Sequence, residues 1–280
     1  MNTRPMNRGW GWLLHLDRRV IFVLIAAATA FPLLFPVNLP VSVSPPVRAA
    51  YDTIDHLPRG SYVLLSLDYE PDIMAELQPM AIAVLRHCFR KGVKPVILTH
   101  YPAAPGLIVT ALDVASKETG AKRDVDYVFL GYKSGGQSVI LGLGENIRAL
   151  FPADFWNTPL DRIPIMKGHN SYADFPLVID LSGSTIADYY IRIASTRYRK
   201  TLVLGATAVM TADYYPYLSS GQIVGLIGGM KGAAEYERLM DIFGNARRGM
   251  DAQSLVHVVV VVLVVLGNIA LAVSGGLKRR

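Results

Sequence analysis

Cysteine is nearly absent from this sequence, in which Cys88 is the single one. No intramolecular disulfide is possible, so any folded domain has to be stabilised by its apolar core alone. His87 comes directly before Cys88, but neighbouring residues on a helix point about 100° apart, which disfavours a catalytic Cys/His pair. We therefore expect Cys88 to be a buried structural thiol.

The motifs of common enzyme and cofactor sites are also missing. The sequence has no G-x-S-x-G elbow, no H-E-x-x-H zinc pattern and neither glycine-rich nucleotide fingerprint. The run YKSGGQS comes nearest to a phosphate loop but matches no nucleotide pattern. We assign no catalytic residue, no metal site and no cofactor, and we favour a protein that is not an enzyme.

Long uncharged runs lie near the two ends of the chain. The first spans residues 20–37 and the second residues 255–273. Eighteen residues at 1.5 Å each give roughly 27 Å, close to the hydrocarbon thickness of a bilayer. We predict two transmembrane helices, at residues 20–42 and 253–276. A cleaved signal peptide is the alternative for the first, although Arg48 at the −3 position of its best cleavage site is unfavourable.

Basic residues flank both predicted spans on their outer sides. Four Lys or Arg precede residue 43 and three follow residue 252, which leaves 21 basic and 21 acidic residues between them. By the positive-inside rule, the tails at residues 1–19 and 277–280 are cytoplasmic. The domain at residues 43–252 is then extracytoplasmic and formally neutral, on the inner membrane of a bacterium. The net charge of +6 indicates topology, and we exclude nucleic acid as a partner.

The central domain alternates short apolar runs with helical patterns. Such alternation is typical of a parallel sheet covered on both faces. We predict an α/β fold, a Rossmann-like doubly wound and mostly parallel sheet of five to six strands. The strands are expected at 61–69, 94–101, 126–132, 176–181 and 201–205, with a sixth at 223–227, and the helices at 73–90, 106–119, 138–150 and 185–197.

Polar residues follow several of the predicted strands. In an open parallel sheet, ligands bind outside the carboxyl ends of the strands, near the point where the strand order reverses. The residues predicted to form such a ligand site are Asp68, His100, Lys133, Ser134 and Asp180. The alternative is that these residues belong to ordinary polar strand-to-helix turns.

Glycines recur at intervals of four between residues 221 and 232. If the segment is one helix, these glycines form a ridge on which another helix can pack closely. The alternative is a short sixth strand followed by a turn and a helix. The predicted packing or oligomer face consists of Gly221, Gly225, Gly228, Gly229 and Gly232.

These observations lead to two functional hypotheses. The first is a membrane-anchored structural or accessory subunit, whose domain assembles with other membrane-protein subunits or with copies of itself. The second is a membrane-tethered enzyme or small-ligand-binding domain that uses the carboxyl edge of the sheet. The partner, the ligand and the oligomer size do not follow from the sequence.

Overall fold

The computed structural model describes residues 17–35 and 37–273, which fall into two compact units. The larger unit, Pro40–Arg247, holds the sheet. The smaller is drawn from the segments Met1–Leu39 and Arg248–Arg280. Apart from residues 17–19, the two predicted cytoplasmic tails lie outside the described residues.

The larger unit contains six parallel strands in the order β3-β2-β1-β4-β5-β6. This confirms the predicted α/β fold with a Rossmann-like sheet, and the sheet is parallel throughout the described part. The strands are β1 (Tyr62–Asp68), β2 (Lys94–Thr99), β3 (Val128–Tyr132), β4 (Leu177–Ser182), β5 (Thr201–Ala206) and β6 (Gly225–Gly228).

Helices connect the strands and also precede and follow the sheet. They are α1 (Arg18–Leu34), α2 (Pro45–Asp55), α3 (Met74–Lys91), α4 (Ala104–Thr119), α5 (Gln137–Gly142), α6 (Ile147–Leu150), α7 (Ile186–Tyr190), α8 (Ala208–Ser219), α9 (Gly229–Leu239) and α10 (Asn245–Val273). A π-helix, Ile191–Arg197, continues directly from α7.

Both faces of the sheet are buried, as a parallel sheet requires. Side chains alternate along each strand, so Leu64 and Val178 face α5 and α7 in one apolar core. Leu65 and Ile179 point to the opposite face, where α3 and α4 pack. Cys88 is fully buried on α3, which confirms that it is a structural thiol, and burial raises its pKa to about 12.

Two of the predicted helices differ from the structure. The helix expected at 138–150 is divided into α5 and α6, because Asn146 begins a new helix by accepting a hydrogen bond from the Ala149 amide at 3.0 Å. The helix expected at 185–197 is an α-helix only as far as Tyr190, where the π-helix begins.

The glycine-rich segment forms strand β6 followed by helix α9, so the alternative of one continuous helical ridge is wrong. Gly225 and Gly229 are buried within the unit. A Cβ atom at Gly225 would come within 2.5 Å of the Ala50 backbone, and one at Gly228 would meet Thr211. Close packing of α2 and α8 on β6 therefore explains these glycines, while the predicted contact with a second copy stays a prediction.

Among the described residues, one helix is long and apolar enough to cross a membrane. It is the Asn245–Ala272 part of α10, which has 28 residues and contains an 18-residue window with a mean hydropathy of 2.8. At 1.5 Å per residue it is roughly 42 Å long. Only 6% of its apolar window is buried, so most of the side chains in that window are exposed.

The predicted first span at residues 20–42 is not a continuous helix. Helix α1 has 17 residues and ends at Leu34, and residues 37–44 have no regular structure. Phe35 precedes a proline, whose ring disfavours the helical conformation at the residue before it. A membrane span at α1 therefore stays a prediction.

Candidate functional site

The strand order reverses between β1 and β4, which lie side by side at the centre of the sheet. Strands β2 and β3 lie on one side of β1, and β5 and β6 lie on the far side of β4. The carboxyl ends of β1 and β4 therefore border the crevice where ligands bind in such folds. Polar residues replace apolar ones there on the face covered by α7. In register, Ser66 pairs with Asp180, and Asp68 pairs with Ser182.

Asp68 is fully buried, and hydrogen bonds satisfy its carboxylate. The Ser66 hydroxyl donates to its Oδ2 at 2.5 Å. The Thr99 hydroxyl and the His100 amide donate to its Oδ1, at 3.2 Å and 2.5 Å. These three donors come from β1 and from the end of β2, so adjacent strands fix the position of this carboxylate.

Asp180 has the opposite environment. It is completely buried, and no N–H or hydroxyl group among the described residues donates to either of its carboxyl oxygens. Burial, followed by the neighbouring charge of Asp68, raises the pKa of Asp180 well above its usual range. The neutral acid is therefore the favoured form of the Asp180 side chain, and its O–H can donate a hydrogen bond to Asp68.

Two further side chains near this pair have unpartnered atoms. The imidazole Nε2 of His100 lies 3.1 Å from the Tyr190 hydroxyl, while its Nδ1 has no partner among the described residues. The Tyr214 hydroxyl on α8 is likewise buried without a partner in this part of the chain. Both Tyr190 and Tyr214 belong to the core on the same face of the sheet.

Buried polar groups in native proteins are nearly always hydrogen-bonded to protein, water or ligand. One carboxyl oxygen of Asp180, the His100 Nδ1 and the Tyr214 hydroxyl are then open on one face near the strand reversal. A small polar molecule or a few ordered waters would satisfy them. Asp180 can donate or accept a proton, and the open atoms can hydrogen-bond a hydroxyl or an amine of a ligand. The arrangement therefore suits acid–base chemistry or the binding of a small polar molecule.

Three of the five predicted ligand residues come together in this way, namely Asp68, His100 and Asp180. Lys133 and Ser134 do not join them. The Lys133 amide donates to the Thr99 carbonyl at 3.0 Å, but its ammonium lies 5.9 Å from the centre of the Phe151 ring. Ser134 is exposed.

Four contributors to this cluster were not predicted: Ser66, Thr99, Tyr190 and Tyr214. A signal existed for Ser66, because a serine two residues before Asp68 in an otherwise apolar strand must share its face. The two tyrosines lie on helices, and their proximity to the strands depends on how those helices pack. No comparable sequence signal exists for them.

No metal centre is present among the described residues, where no three His, Cys, Asp or Glu side chains are grouped to hold an ion. His87 illustrates the structural use of a histidine in this domain. Its Nδ1 lies 2.7 Å from the Tyr236 hydroxyl and its Nε2 3.3 Å from Asp55. Burial lowers its pKa to about 4, so it is neutral near pH 7.

Comparisons with known proteins add little. No protein-family model matches this chain, and no curated protein matches it. A solved trehalose-6-phosphate synthase is similar with a TM-score of 0.30 and 12% sequence identity. The match covers 89% of this chain and 49% of the synthase, so the chain spans about half of that protein's length. At this TM-score the likeness carries no weight for fold or function.

The neutral state of Asp180 predicts a specific pH dependence of stability. The carboxyl has a pKa of about 3.9 in an unfolded chain and a higher one when folded. Between these values the folded state holds the extra proton, so the free energy of unfolding falls as pH rises. Asp180→Asn has no proton to lose there. As the pH rises, the free energy of unfolding of Asp180→Asn should therefore increase relative to that of the wild type, by up to about 1.4 kcal/mol per pH unit.

Urea denaturation at a series of pH values from about 4 upward measures this difference. Asp72→Asn, at an exposed carboxylate near the same edge, is the matched control and should keep the wild-type slope. Identical pH dependence for Asp180→Asn and the wild type would show that Asp180 is ionised in the fold.

Proposed function

We propose that this protein is a membrane-anchored structural or accessory subunit, whose α/β domain lies outside the cytoplasm and mediates assembly of a membrane protein complex or homo-oligomer. The observation that carries the proposal is the exposed apolar surface of α10. Val258, Val261 and Val264 are each more than half exposed, in an apolar window of which only 6% is buried. Lipid is the solvent in which such a surface is stable.

The connection between the two terminal segments supports the sidedness of the proposal. Within the smaller unit, the amides of Asn38 and Leu39 donate to the Asp251 carboxylate at 2.9 Å and 3.2 Å. The chain that leaves α1 therefore lies beside the early turns of α10. If both helices cross the membrane from this point, both termini emerge on the same side. The basic residues near both predicted spans support a cytoplasmic location for that side.

Assembly is supported by an exposed aromatic patch at the β3 edge of the sheet, formed by Phe155, Trp156 and Arg123. Phe155 and Trp156 are 40% and 36% exposed, and their rings pack edge to face with centroids 5.3 Å apart. The Arg123 guanidinium lies 4.5 Å above the Trp156 ring. Tryptophan and arginine are the residue types most often found at the energetic centres of protein interfaces.

A second candidate function rests on the unpartnered atoms at the carboxyl edge. Asp180, His100 and Tyr214 have open hydrogen-bonding positions on the same face of the sheet, at the reversal of strand order. A small polar ligand bound there would satisfy them, which supports a membrane-tethered ligand-binding domain.

A charge at the centre of the apolar part of α10 tests the anchor. Arginine at the middle of a membrane helix costs about 2.5–3.5 kcal/mol on the insertion scale, so Val264→Arg should reduce insertion of α10 roughly 100-fold. Protease added to intact cells should cleave the central domain of the wild type and spare a C-terminal tag. In Val264→Arg the tag should be cleaved as well.

Val264→Leu keeps the helix apolar and should behave as the wild type. A wild-type pattern in which protease removes both tails and spares the centre would reverse the proposed sidedness.

Truncation of the aromatic patch tests assembly. Loss of an interface hot spot costs about 2 kcal/mol or more, so Trp156→Ala should weaken the complex roughly 30-fold. The measurement is the mass of the particle extracted in mild detergent, as a function of protein concentration. Tyr215→Ala, at another half-exposed aromatic side chain, is the control. A wild-type particle that is a lone monomer would contradict the proposal.

Removal of the buried Tyr214 hydroxyl tests the second candidate. If a ligand bonds this hydroxyl, protein purified from its membrane should release a small polar molecule on denaturation. Tyr214→Phe should carry less of it, while Tyr215→Phe, which loses an exposed hydroxyl, should carry the wild-type amount. Mass spectrometry of the released fraction measures this. If nothing is released and Tyr214→Phe is as stable as the wild type or more so, no ligand occupies this position.

A further inference from the structure

A polar recess lies at the amino-end edge of the sheet, away from the carboxyl-edge cluster. It has a volume of about 290 Å³ and lies between the first residues of β5 and the turn that follows α8. Its polar lining is provided by Ser195, Arg199, Lys200, Thr201 and Gln222.

The recess is cationic. Two of the lining residues, Arg199 and Lys200, carry a positive charge, and none of the lining residues is acidic. The Lys200 ammonium donates to the carbonyls of Phe175 and Ala173, at 3.2 Å and 3.5 Å. Two carbonyl acceptors leave one of its three N–H groups open. Burial lowers the pKa of Lys200, and the opposing effect of Asp174 is smaller.

Asp174 does not close the recess with a carboxylate. Its Oδ2 accepts hydrogen bonds from the amides of Asn170 and Ser171, at 2.7 Å and 2.9 Å. It is not among the residues that line the recess. The positive charge of Arg199 and Lys200 therefore has no carboxylate counterpart in the lining.

Arg199 is held at the recess by an unusual backbone. Its φ is +54°, in the left-handed region that favours glycine. It comes two residues after the π-helix Ile191–Arg197, a rare element that is frequent at functional sites. Arg199 is exposed and lines the recess, and its guanidinium forms no ion pair or hydrogen bond with the described residues, so its five N–H donors can bind a ligand from solution.

From this geometry we propose that the recess binds a phosphate-like oxyanion. A planar guanidinium offers two parallel donors to such a group, the remaining Lys200 N–H adds a charged donor, and the Thr201 hydroxyl adds a neutral one. The oxyanion is either inorganic phosphate or the phosphate of a lipid headgroup. The site is separate from the proposed assembly patch and from the carboxyl-edge cluster.

Two other arginines of the same segment provide matched controls. Arg192 lies 5.1 Å from the centre of the Tyr189 ring, and Arg197 lies 5.7 Å from that of Tyr198. Neither lines the recess. Non-specific attraction of anions to a basic surface would be weakened equally by loss of any of the three arginines.

The experiment is a calorimetric titration of the full chain in neutral detergent with inorganic phosphate, at constant ionic strength. The wild type should bind one phosphate. Arg199→Gly removes the guanidinium and suits the left-handed backbone, so it should fold at least as well and bind at least tenfold more weakly. Arg192→Gln and Arg197→Gln should bind as the wild type does.

A parallel titration with a short-chain phosphatidic acid distinguishes the two sources. Tighter binding of the lipid, lost in Arg199→Gly, identifies a headgroup, whereas tighter binding of inorganic phosphate identifies the free ion. If Arg199→Gly binds both ligands as the wild type does, or if all three arginine variants lose binding equally, the proposal is overturned.

Discussion

Six parallel strands with both faces covered constrain every polar side chain in the larger unit. A strand in such a sheet has no solvent-facing side, so a polar residue is tolerated only near its ends or where a neighbour satisfies it. The carboxyl ends of β1 and β4 bring Asp68 and Asp180 together in an apolar core. Three hydrogen-bond donors satisfy the Asp68 carboxylate, whereas burial favours the protonated form of Asp180. The parallel sheet thus places an acid pair where most domains have apolar packing.

Buried carboxylates also fix the segments by which the chain enters and leaves its units. In the larger unit, Glu235 accepts hydrogen bonds from the amide and hydroxyl of Ser44, at 2.8 Å and 2.5 Å. Glu237 accepts the amides of Ala246 and Arg247 in the first turn of α10, at 3.2 Å and 2.9 Å. Amides in a segment without regular structure, or in the first turn of a helix, have no backbone acceptor, so a carboxyl group that accepts them fixes the position of the segment. The same reasoning explains Asp251 in the smaller unit.

The strands were predictable because their signal is local. Runs such as VLLSL and LVIDL, which are apolar except for one residue each and lie between turn residues, specify buried strands wherever the helices pack. Helices α2 and α8 were missed for the opposite reason. Pro45 and Pro46 begin α2, where a proline is favourable, yet the same residues in isolation indicate a linker. Pro216 lies inside α8, within an aromatic run that gives no helical period. Only packing against β6 decides both cases.

The same distinction, between local sequence signals and features that depend on packing, applies to the residues of the candidate site. Asp68, His100 and Asp180 could be predicted because all parallel strands end at one edge, so a residue that belongs to a strand end has a known position. Tyr214 could not, since its distance from that edge is set by the way α8 lies on the sheet. The oxyanion recess had no sequence signal, because it joins the end of a π-helix to a turn more than twenty residues later.

The three surfaces lie on different edges of one sheet. Variants at Trp156, Tyr214 and Arg199 therefore share no contacts, and their effects on assembly, ligand content and anion binding should be separable.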